Sequence, residues 1–96
     1  MTAFVHVNLR VKDPVRQAEL VPRFQAALEA AGGRIVHFGP VVEMLEGDLE
    51  PLPMAGVFQF PTIADALSFY RSPEYAPIKA AREEAQEARM FVVDAR

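Results

Sequence analysis

At 96 residues the chain has room for one hydrophobic core and no second. Apolar residues at 51% and charged residues at 24% describe an ordinary globular protein and argue against a disordered one. A net charge of −3 and a pI near 5.3 argue against a nucleic-acid partner, which would want a basic stripe, and zero cysteines exclude disulfides, thiolate catalysis and thiolate metal sites. No apolar run approaches the ~20 residues of a membrane span, and the N-terminus lacks a charged-then-apolar signal pattern. No membrane association is expected, and a cytoplasmic location is the default.

Residues 1–11 alternate, with Val5, Val7, Leu9 and Val11 on one face and Phe4, His6, Asn8 and Arg10 on the other. Period two with β-branched residues predicts a strand whose first face meets a core. Asp13-Pro14 supplies a helix N-cap followed by a proline whose missing N–H is harmless in the first turn. Leu20, Phe24 and Leu28, four apart, form the stripe of a buried helical face. Pro22 interrupts that stripe and predicts a kink or short break near Val21. Gly32-Gly33 ends the helix, since glycine takes the left-handed position without strain.

Residues 34–38 read as a short strand stopped by Gly39-Pro40, with 41–45 as an extension or edge strand and Glu46-Gly47-Asp48 as a turn. Pro51 and Pro53 stiffen the connection to a third strand at 54–60, where Gly56, Phe58 and Phe60 share one side. Thr62 and Asp65 fit the start of a short helix carrying Ala66, Leu67 and Tyr70 on its apolar face. Ser72-Pro73-Glu74 then reads as the N-cap and first turn of a last helix reaching about Ala85, with an irregularity at Pro77. Residues 90–93 form the final strand, carried toward Ala95.

The order βαββαβ with one extra short helix is the α+β, ferredoxin-like arrangement, in which helices cover one face of an antiparallel sheet. The local pattern offers no cover for the second face. That face is expected to hold Phe4, with Phe58 and Phe60 as further candidates, and such an apolar patch needs a partner.

Ser72-Pro73-Glu74-Tyr75 followed by Ile78-Lys79 and Arg82 resembles the signature of a widespread bacterial domain-of-unknown-function family in the dimeric α/β-barrel superfamily. The likeness spans nearly the whole chain. Asp13-Pro14, Gly32-Gly33-Arg34, Gly39-Pro40-Val41, Glu46-Gly47 and Phe60-Pro61 fall where that family has such residues. It departs from the pattern at Gln17 and Leu20, where aromatic residues are common, and in lacking tryptophan. The resemblance implies a homodimer closing two sheets into a barrel. It also implies a small-molecule cavity and, from related barrels, oxygenase- or isomerase-like chemistry without a cofactor. The family has no agreed activity, and a non-catalytic dimerisation or interaction module is the alternative.

His6 and His37 are the only histidines and the candidates for proton transfer. In a ferredoxin-like sheet their strands are separated by a third, so two ladder spacings hold their backbones roughly 10 Å apart. A metal site is therefore not expected. Asn8 and Arg10 share the face of His6 and could hold a carboxylate or an enolate-like oxygen, although an ordinary wet or interfacial face is the commoner use of such a pattern. Tyr75 and Arg82, on one helix face, could close a pocket between helix and sheet. The structural alternative is a packed tyrosine and an arginine tied to a neighbouring carboxylate. Ser72 is explained by capping, and the glycines form no phosphate-binding pattern.

Overall fold

Side-chain alternation along β1 (Ala3–Val11) sorts into two faces in the computed structural model, which describes residues 2–95. Met1, placed in the first strand by its sequence, lies outside the described residues. Ala3, Val7 and Leu9 are buried, while Arg10 and Val11 run out to solvent. Helix α1 (Pro14–Ala30) follows, opened by Asp13, whose carboxylate accepts from the amides of Val15 and Arg16 at 3.1 Å each. It closes in a Schellman motif. Gly33 N–H donates to the Leu28 carbonyl (2.9 Å) and Gly32 N–H to that of Glu29 (3.0 Å), with Gly32 at φ 85°.

Strand β2 (Arg34–Pro40) leads through an irregular segment, 41–53, to β3 (Met54–Phe60). Helices α2 (Ile63–Arg71) and α3 (Ala76–Ala85) then return the chain to β4 (Gln86–Asp94). The sheet order is β2-β3-β1-β4, every neighbouring pair antiparallel. This is the expected α+β, ferredoxin-like topology, with all three helices on one face. The molecule measures 36 × 33 × 18 Å, the proportions of a two-layer slab. No helix of the described residues is long and apolar enough to cross a membrane.

Four expectations need correction. Phe58 and Phe60 are not on the open face. Phe58 pairs with Val5 and Phe60 with Ala3, which turns both rings under the helices, where they are buried. Of the three phenylalanines considered for the open face, Phe4 alone lies there, half-buried. Second, α1 shows no short break near Val21 and runs as one helix through Pro22. The ring is exposed, and Ala18, whose carbonyl loses its partner four residues on, is exposed as well, so water can serve it.

Third, residues 41–45 form no strand. Only the Val41 amide reaches across, to the Pro53 carbonyl at 2.7 Å, and the turn at Gly47 (φ 107°) with two prolines prevents a ladder. Fourth, Ser72 does not begin a continuous helix. Its hydroxyl donates to the Phe69 carbonyl (2.9 Å) and accepts from the Tyr75 amide (3.2 Å), closing a turn between α2 and α3. Pro77 has no N–H to offer the Pro73 carbonyl, so that turn cannot propagate and the helix starts afresh at Ala76.

Candidate functional site

Helix α1 stands closer to α3 than to any strand, so large side chains must fill the gap between it and the sheet. Phe24 does most of this. Its ring meets Phe58 at 5.1 Å between centroids, and Phe69 and Tyr75 at 6.2 Å each. Where Phe24 does not reach, a cavity of about 180 Å³ remains. Its floor is Val7, Leu9, Phe58 and Met90 from the sheet, and its roof is Leu20 and Phe24. The rim is Val21 and Gln25 from α1 with Ile35 and Phe38 from β2, all exposed. Gly56 shapes this rim. A Cβ there would lie 2.5 Å from the Phe38 ring and 3.1 Å from the His37 carbonyl oxygen, so the glycine lets that ring pack against β3.

The inner end is polar. Arg82, in the last turn of α3, is 9% exposed, and its Nη1 donates to the Tyr75 hydroxyl at 2.9 Å. Gln86, one helical turn later and already in β4, is 7% exposed and donates from Nε2 to Gln17 Oε1 at 2.9 Å. Gln86 Oε1 is buried with no hydrogen-bond partner. Burial pushes the Tyr75 phenol above its ordinary pKa of 10.0, against the opposing pull of Arg82, so at neutral pH it is a neutral acceptor for the guanidinium.

Two further spaces adjoin the first. One of about 280 Å³ shares Arg82, Gln86 and Met90 and opens toward Lys79 and Glu83. Another of about 340 Å³ lies under α2 and shares Phe24, Phe58 and Met90. Phe24, Phe58 and Met90 are thus the partition between two compartments of one helix–sheet interior.

The sequence-derived candidates fall on opposite sides of the sheet. Tyr75 and Arg82 belong to the helix side, where Arg82 lines the cavity and binds Tyr75 instead of the expected carboxylate. His6, Asn8, Arg10 and His37 belong to the open side. His6 and His37 both pair with Val57, from either flank, so a strand lies between them. His6 stacks on Phe91 at 5.2 Å, turned away from His37. Asn8 donates to the carbonyls of Leu52 (2.9 Å) and Met54 (2.7 Å) and accepts from the Leu52 amide (2.9 Å), so its amide anchors the 41–53 segment. Arg10 faces Glu87 at 3.9 Å in solvent. Among the described residues, no three His, Cys, Asp or Glu side chains converge on a point.

Gln17, Phe24 and Gln86 escaped the sequence reading as site residues. Phe24 was legible only as core. Gln86 fell between the expected helix end near Ala85 and the expected strand start at residue 90, whereas β4 begins at Gln86 itself.

A family model described as "Domain of unknown function (DUF1330)" matches residues 2–96. No curated protein matches the chain. Among solved structures, RPA0582 of Rhodopseudomonas palustris, a protein of unknown function, is 18% identical, with a TM-score of 0.77 over 99% of this chain and 82% of that one. SnoaB of Streptomyces nogalater, a cofactor-independent oxygenase, is 14% identical, with a TM-score of 0.68 over 99% and 92%. A dimeric ferredoxin-like protein of unknown function from Jannaschia sp. CCS1 is 12% identical, with a TM-score of 0.66 over 99% and 100%. At these identities the likeness is one of fold.

Proposed function

The chain belongs to the DUF1330 family, and from that footing we propose that it is a homodimer binding a small organic molecule in the cavity between α1 and the sheet. The observation that carries the reading is the composition of that cavity. Apolar walls meet a buried, convergent polar end at Arg82 and Gln86, the usual construction of a small-molecule site. An arginine at the inner end suits a developing oxyanion, which is where side-chain chemistry without a cofactor would act. The fold's occurrence in a cofactor-independent oxygenase supports such chemistry, or an isomerase-like equivalent, as a direction. His6 and His37, across the sheet, would bear on the dimer and not on the bound molecule. A cytoplasmic setting and no nucleic-acid or membrane partner complete the reading.

The test is a thermal-shift screen of a metabolite library against the wild-type protein and Val21→Trp, whose ring would plug the exposed rim. A ligand at a hundred times its Kd adds about 2.7 kcal/mol, which raises the Tm of a domain this size by roughly 10 °C or more. Compounds that stabilise wild type and not Val21→Trp are expected. If every stabilising compound acts equally on both, the cavity is not the site.

The non-catalytic module has one observation in its favour. The 41–53 segment holds Val42, Leu45 and Leu49 at 94%, 86% and 75% exposure, which suits a contact surface. It predicts a protein that answers to no library compound.

A further inference from the structure

Arg82 is a buried cation with little to balance it. None of the ion pairs among the described residues includes it. Its guanidinium has five N–H donors, and the Tyr75 hydroxyl takes one of them. The C-terminal carbonyls of α3 favour a cation in that last turn, which offsets part of the cost of burial. The charged groups around it do not supply a counter-ion. Glu84 is engaged with Arg16 and Glu87 with Arg10. Glu83 lines the adjoining space with Arg82 but forms no ion pair with it, and Lys79 there lies over the Tyr70 ring at 5.0 Å. Gln86 lines the same cavity as Arg82, and its Oε1 is buried and lacks a donor. One cavity lining therefore holds both surplus N–H donors and an unmatched acceptor.

The rest of the cavity is apolar, and its volume of about 180 Å³ is close to the ~150 Å³ of an engineered cavity that holds one benzene ring. Resting on the cavity reading above, we propose that the ligand is a single-ring organic acid. Its carboxylate pairs with Arg82, a ring hydroxyl not adjacent to that carboxylate donates to Gln86 Oε1, and its ring lies against Phe24, Phe58 and Met90. A carboxylate accepts two parallel N–H bonds from a guanidinium, and that geometry also replaces the missing counter-charge. A neutral ring of the same size would fill the walls and leave both polar groups as they are, so affinity should follow the acid and not the ring alone.

Calorimetric titration of the full chain with 3-hydroxybenzoate, benzoate and benzyl alcohol tests this. 3-Hydroxybenzoate is expected to bind at least about ten-fold tighter than benzyl alcohol, the scale of a charged hydrogen bond. Arg82→Gln is expected to erase that advantage, and Gln86→Leu to erase the margin of 3-hydroxybenzoate over benzoate. Should Arg82→Gln fail to fold, NMR of the wild-type Arg82 Nε–H decides: movement on adding 3-hydroxybenzoate supports the pairing, and a fixed resonance with 3-hydroxybenzoate bound overturns it. Benzyl alcohol binding as tightly as the acids overturns the acid class. If none of the three binds while other compounds still stabilise wild type and not Val21→Trp, the acid class falls and the cavity reading stands. If that stabilisation is missing too, both fall.

Discussion

Tyr75 ties the cavity to the stability of the fold. It is 1% exposed, packs on Phe69 at 4.7 Å and on Tyr70 at 5.5 Å, and gives Arg82 its hydrogen-bond acceptor. Tyr75→Phe keeps the ring and removes that acceptor, which should cost ~1.5–3 kcal/mol in urea unfolding. The same phenol sets a pH limit. Its pKa is raised in the folded chain, chiefly by burial, so above about pH 10 the unfolded chain releases a proton that the folded chain retains. Stability that is fully present below that pH is then lost as pH rises through the folded value. The slope of unfolding free energy against pH should therefore turn negative in that range and flatten in Tyr75→Phe. An unchanged alkaline limb in the variant would show that another group is responsible.

At the level of elements, the caps and strand faces were legible because they are local. Asp13 binds the first-turn amides of α1, Thr62 Oγ1 accepts from the Asp65 amide at 3.0 Å, and β1 alternates as its residues require. Which face of β3 points inward was not legible. Alternation separates Phe58 and Phe60 from Val57 and Gln59, but only pairing with Ala3 and Val5 says which set meets the helices. The cavity was hidden for the same reason, since its walls come from both helix and sheet. Arg82 and Tyr75 could be paired from their spacing within one helix, whereas Gln17 and Gln86 are 69 residues apart. Pro22 misled as to a break because the local rule assumes that the lost hydrogen bond cannot be replaced, and here both Pro22 and Ala18 are exposed. The cost remains in part, so Pro22→Ala should stabilise the chain by roughly 1–2 kcal/mol, the helix penalty less the entropy that proline removes from the unfolded chain. Urea titration checks this, and a loss of stability would mean that the ring packs in a way its exposure does not reveal.

For the whole molecule, a slab with helices on one side leaves Phe91 at 59% and Val93 at 38% exposure on the other, beside Phe4 and the His6 ring. Four strands at ~4.8 Å, of seven to nine residues at ~3.4 Å, give a face of about 20 × 25–30 Å, which the 41–53 segment would extend toward the ~800 Å² per partner of a standard interface. Area and polarity thus suit a second copy, whose own open face needs the same cover. Phe91→Glu would place a carboxylate within such a contact and remove the ring on which His6 stacks. Sedimentation is expected to show a wild-type dimer and a Phe91→Glu monomer. The helix-side cavity lies on the opposite side of the sheet, so a compound that binds there should bind the monomer within about three-fold of wild type, well under the ten-fold that 1.4 kcal/mol represents. A wild-type chain that sediments as a monomer would remove the dimer. A dissociated variant that also loses its ligand would mean that the second copy helps hold the cavity in shape, joining two sites the fold otherwise keeps on separate faces.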